Sequence, residues 1–112
     1  MRQYFLQLLL SAIFSVALCV VASASECVLP PPPSHIPDGD SASEQEMLAA
    51  MQTLKKYNAD VTEYTQCLEF AQKRNLISTA DQEHHRTLAV DTLAGVAARF
   101  NEQVRKFKAR HT

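Results

Sequence analysis

Few residues in this 112-residue chain have the types and spacing to do chemistry, and each group is incomplete by itself. His84 and His85 offer imidazole nitrogens. Adjacent helical residues point about 100° apart, so the two do not readily chelate one ion together. Asp81 and His85, at i and i+4, make half a metal site, and the other ligands would come from elsewhere. Solvated histidines near a helix start are therefore expected, with Asp81, His84 and His85 as incomplete metal candidates. Asp38-Gly39-Asp40 with Glu44 has the outline of a calcium loop. It lacks the alternating oxygen ligands and the closing bidentate glutamate, and it reads better as an acidic turn and cap. No serine, threonine or cysteine nucleophile has an evident base, and no C-x-x-C accompanies Cys67. Glu44 and Glu46 fall on different helix faces. Catalysis is not expected, and neither is a cofactor. Arg105, Lys106, Lys108 and Arg110 form a basic C-terminal tip suited to an anionic surface.

The elements that must position these groups are helices. In residues 43–74, Met47, Leu54, Val61 and Leu68 recur every seventh residue, as do Ala50, Tyr57, Tyr64 and Ala71. No proline or glycine interrupts the run. A narrow apolar seam of this kind needs a partner helix, as in a coiled coil. Ser43 with Glu46 makes a capping box, and Ser41 with Glu44 is a second frame. Asn75 is a plausible C-terminal cap. Ser78 or Thr79 caps a second helix that runs to about Lys108. Its seam is Val90, Leu93, Ala97, Phe100, Val104 and Phe107, with Leu76, Ile77 and Leu88 covering the loop end. A short connection makes the two helices antiparallel neighbours. Gly95 lies in a run of small residues and permits either close approach of another segment or simple tolerance.

Residues 1–24 have the layout of a secretory signal peptide: Arg2, an apolar core from Leu8 to Val21, and Ala22-Ser23-Ala24 at the cleavage site. The core is too short for the roughly 20 residues that span a bilayer. The expected product is periplasmic or secreted, with no transmembrane segment after cleavage. Cys27 and Cys67 remain, and two cysteines in an exported chain predict one disulfide. Two free thiols or an intermolecular bridge are the alternatives.

Residues 25–42 form a proline-rich arm. Pro30 to Pro33 impose polyproline II, and Pro37-Asp38-Gly39 signals a turn. Cys67 lies about 36 Å up the first helix, and the arm from Cys27 to Ser43 spans about 50 Å. The arm can thus turn and run back to Cys67, against Tyr57 and Tyr64. The closed loop would contribute roughly 3–4 kcal/mol in the chain-entropy model.

Between residues 25 and 72 eight acids face two bases, and between 73 and 112 eight bases face four acids. An antiparallel hairpin sets these halves side by side, so internal complementarity is the simplest reading. The small net negative charge argues against a nucleic-acid partner. Cys27 with its prolines, Ile36-Pro37-Asp38-Gly39, Ser43-x-x-Glu46-Met47, Lys56-Tyr57, Tyr64-x-x-Cys67 and the run from Phe100 to Lys108 resemble a group of small exported proteobacterial proteins. The resemblance implies an export signal, one disulfide and mostly helix, and carries over no catalytic residue. The expected fold is all-α: a two-helix hairpin, residues 43–112, with an extended arm stapled to its first helix. The expected role is a non-enzymatic structural, adaptor or partner-binding module. A peripheral envelope-binding protein using the basic tip is the first alternative, and a metal-binding periplasmic protein the second. The partner would be another envelope protein or an anionic surface.

Overall fold

The computed structural model describes residues 26–112, and the expected signal peptide lies outside them. Two helices, α1 (Glu44–Lys73) and α2 (Thr79–Arg110), form a hairpin with no strand among the described residues. At the start of α1, the Glu46 amide donates to Ser43 Oγ and the Ser43 amide donates to the Glu46 carboxylate, so Ser43 is the cap. The capping donors hold the Glu46 carboxyl below its ordinary value of 4.5, the Ser43 amide first and its hydroxyl second. Ser78 caps α2 by accepting from the Asp81 amide.

Asn75 ends α1 with φ of 58°, a left-handed conformation that asparagine tolerates. Its amide donates to Gln72 O and the Leu76 amide to Ala71 O, at 3.0 and 2.9 Å. This paired arrangement satisfies carbonyls that the last turn would otherwise leave open. The five residues from Arg74 to Ser78 then reverse the chain. α2 extends to Arg110, two residues past the expected end.

The α1 seam follows its spacing: Met47, Tyr57, Val61, Tyr64, Leu68 and Ala71 are buried, and Ala50 and Leu54 are half-buried. Burial pushes the Tyr57 phenol above its usual value. Of the expected α2 seam, Phe100 is buried and Leu93, Ala97, Val104 and Phe107 are half-buried; the departure is at its loop-side end. Val90 is 40% exposed, while Ala89 and Val96 are 1% and 2% exposed. Leu76 and Leu88 are also exposed, and Ile77 alone of the three expected loop-end residues packs on the core. The cause is a third element. The arm packs beside the helices, so α2 turns the edge carrying Ala89, Val96 and Gln103 toward it.

The arm returns along α1, and Cys27 and Cys67 form a disulfide that closes a 40-residue separation. Cys27 and Ile36 both pack on the core cluster built around Tyr57, Val61 and Tyr64. Ile36 also touches the second cluster of Ala42, Met47 and Phe100, and so joins the two halves of the core.

Candidate functional site

The hairpin has two grooves, one occupied by the arm, with a cleft of about 700 Å³ left between the prolines and α1, and one open. The occupied groove follows the period of polyproline II, three residues per turn. Residues 27, 30, 33, 36, 39 and 42 are all buried or half-buried. Residues 28, 31 and 34 are exposed, and so are 29, 32 and 35. One edge of a three-sided helix therefore packs on the protein and two edges face water. Pro37, also buried, marks where this register gives way to the turn. Along α1 the arm passes Asp60, Glu63, Tyr64 and Cys67 at one end and Glu46, Ala49, Ala50 and Thr53 at the other. Pro33, Ser34 and Ile36 share a cleft with Arg99, Glu102 and Gln103 of α2.

A clamp fixes the turn at residues 38–41. The Ser41 and Ala42 amides donate to Asp38 O, and the Asp40 amide donates to Asp38 Oδ1. The Gly39 amide donates to Gln103 Oε1 at 2.9 Å. A Cβ on Gly39 would stand 2.0 Å from the Gln103 carbonyl oxygen, so only glycine fits this approach of backbone to helix. Arg110 donates to Asp40 O at 3.0 Å and to Ala42 O. Lys106 Nζ lies 3.7 Å from an Asp40 carboxylate oxygen. These are charge-assisted contacts from the end of α2 to the base of the arm.

The open groove lies on the other side of the helix pair. Met51, Leu54, Lys55, Asn58, Leu93 and Ala97 line it, with a volume of about 430 Å³. Leu48, seven residues before Lys55, and Val90, seven before Ala97, extend the same faces, at 48% and 40% exposure. The seam side chains Leu54 and Leu93 are accordingly only half-buried. Gly95, on the exposed side of α2, would find nothing within 4 Å of an added Cβ. It is thus not a point of close approach within the molecule.

The structure divides the basic tip. Lys106 and Arg110 turn inward to the clamp, with Arg110 also over the Phe107 ring at 5.4 Å. Arg105 and Lys108 are exposed and have no ion pair among the described residues. Asp81, His84 and His85 sit exposed at the start of α2, with the two rings 5.5 Å apart. No three histidine, cysteine, aspartate or glutamate residues among the described ones gather to hold a metal. No described helix is long and apolar enough to cross a membrane.

Sequence reasoning missed Gln103 and the reason for Gly39. A signal was present: Cys27, Pro30, Pro33, Ile36, Gly39 and Ala42 are small or apolar at every third position. Nothing in the sequence marks Gln103, whose role appears only when the arm lies on α2. In comparison with known proteins, no family model, curated protein or solved structure matches the chain.

Proposed function

We propose that this protein is a non-enzymatic, exported partner-binding module of the cell envelope. The observation that carries the reading is the asymmetry of the hairpin. One groove is occupied by the chain's own arm, which leaves a cleft of about 700 Å³ beside Glu46, Ala49, Ala50 and Thr53; the other holds no segment of the described chain and is largely apolar, from Leu48 and Met51 to Val90 and Ala97. Exposed contiguous apolar surface on a small protein marks an interaction site. A disulfide suits an oxidising compartment, and so supports export. The resemblance to small exported proteobacterial proteins points the same way.

The test is a photo-crosslinking residue at Met51 or Ala97, with Gln52 on the outward face as control, in the exporting cell. Discrete adducts from the first two positions and none from Gln52 are expected. Equal labelling from all three would remove the reading.

A second reading rests on Arg105 and Lys108, the two tip cations left without partners among the described residues. It makes the protein a peripheral binder of anionic lipid. Sedimentation with vesicles rich in phosphatidylglycerol at low salt is its measurement, and absence of binding there would sink it. Zinc titration giving no heat would remove the metal reading at His84, His85 and Asp81.

A further inference from the structure

The arm's outward surface is not needed to hold the arm in place. In the extended stretch before the turn the buried and half-buried positions are 27, 30, 33 and 36, while Val28, Pro31 and Pro32 only border clefts beside α1. Val28 and Pro31 stand on the second edge, and Leu29 and Pro32 on the third, all exposed. Val28 is 80% exposed and Leu29 49%. Four apolar side chains thus form one continuous ridge on a rigid support.

We propose that this ridge is a preformed polyproline II ligand for a partner protein with an aromatic-lined, basic-rimmed groove. Three arguments select that occupant. A three-sided helix laid in a groove contacts it through two edges and turns the third away. Here the third edge is the one already bound to the hairpin. Proline-rich segments are taken by grooves of aromatic side chains, whose flat faces match proline rings. Charge supplies the last argument. Glu26 precedes the ridge and Glu63 lines the cleft beside Val28 and Pro30, with Asp60 there already paired to Lys56 at 2.6 Å, so a matching rim carries lysine or arginine opposite Glu26 and Glu63.

The support adds affinity without adding contacts. The disulfide fixes one end of the arm and the Gly39–Gln103 clamp the other. A free peptide must be ordered on binding, and this arm is ordered beforehand.

The inference concerns the arm and not the open groove, so the two fail separately. A photo-crosslinking residue replaces Leu29 in the full chain, in the exporting cell, with one at Ala59 on the outward face of α1 as control. An adduct from Leu29 and none from Ala59 is expected. The captured protein is then purified and titrated with this chain. The chain contains no tryptophan, so any change in tryptophan emission belongs to the partner's groove. Expected are a shift in that emission and binding that weakens as salt rises. The double variant Pro31→Ser, Pro32→Ser should bind at least tenfold more weakly while keeping the helix content and the disulfide of the parent, since both prolines are exposed. A synthetic peptide of residues 26–36 should also bind at least tenfold more weakly. No specific adduct from Leu29, or a double variant that binds as tightly as the parent, would overturn the proposal. An adduct from Met51 with none from Leu29 would remove this proposal and keep the open-groove reading.

Discussion

The two sides of the hairpin solve the same problem differently. Two helices meeting along one seam leave a groove on either side. On the arm side the chain lays its own backbone in the groove, with Cys27, Pro30, Pro33 and Ile36 turned inward, and fixes that backbone at both ends. On the open side the seam is half-covered, and Leu48 and Val90 meet water. A pair of helices buries too little to stand alone with ease. The arm supplies the missing layer on one side, and the disulfide holds it there.

Removing the staple is the severest way to break this contrast. The double substitution Cys27→Ser, Cys67→Ser opens the loop of about 40 residues and should cost about 3–4 kcal/mol. Denaturant unfolding of the variant would show a lower midpoint. Limited proteolysis would then cut first in the arm and leave the open side unchanged. A variant as stable and as protected as the parent would mean that the arm holds without the disulfide.

The two glycines sharpen the contrast because they should respond with opposite signs. Gly39→Ala drives a Cβ against backbone of α2, 2.0 Å from the Gln103 carbonyl oxygen. Overpacking against an atom that cannot rotate away should cost about 2–3 kcal/mol. Gly95→Ala meets nothing and lies in an exposed helix, where alanine is favoured by about 0.5–1 kcal/mol. Thermal melts of the pair should move in opposite directions. A loss at Gly95 would mean that the outward face of α2 is packed against something in solution.

Much of this was legible in the sequence. Heptad spacing placed α1 and its seam, capping residues placed both helix starts, and reach along helix and polyproline arm allowed the disulfide. What escaped notice depended on the third element. On α2 the residues at 90, 97 and 104 and those at 89 and 96 both fit a seam, since Ala89, Val90, Val96 and Ala97 are all apolar. Periodicity cannot choose between adjacent stripes, and in the fold Ala89 and Val96 join Tyr57, Val61, Tyr64 and Leu68 in the cluster on which the arm's Cys27 and Ile36 pack. The basic tip was legible as a cluster but not as a division, because four neighbouring residues on a helix point to different sides. Gly39 carried a turn signal, whereas its strict need is steric and arises about 64 residues away along the chain at Gln103.

Val96 and Val90 turn the choice of stripe into a measurement. They are the same residue type, six apart on α2, at 2% and 40% exposure. Val96→Ala empties space in the arm-side core and should cost about 2 kcal/mol, from lost transfer energy and the cavity left. Val90→Ala should stay within about 0.5 kcal/mol, as exposed substitutions do. Equal costs would place α2 midway between the two stripes, and the arm would no longer explain the turn of the helix.

The smallest expected effect separates the helix starts. At α1 the cap is reciprocal, and Glu46 returns a bond to the Ser43 amide. At α2 the described bond runs one way, from the Asp81 amide to Ser78 Oγ. Because the folded state holds the Glu46 carboxyl below its ordinary 4.5, the unfolded chain binds its proton first as pH falls. The stabilisation is therefore complete above that ordinary value and fades as acid carries Glu46 through its lowered one. Glu46→Gln removes the titration and keeps a side chain able to accept from the Ser43 amide. Between neutral pH and the acid limit, the stability of the parent should fall more steeply than that of Glu46→Gln. Carboxyl carbon shifts followed by NMR give the same answer directly, with Glu46 titrating below a free glutamate. Parallel stability curves with an ordinary Glu46 titration would mean that the returning bond is not formed in solution, and the two helix starts would then be alike.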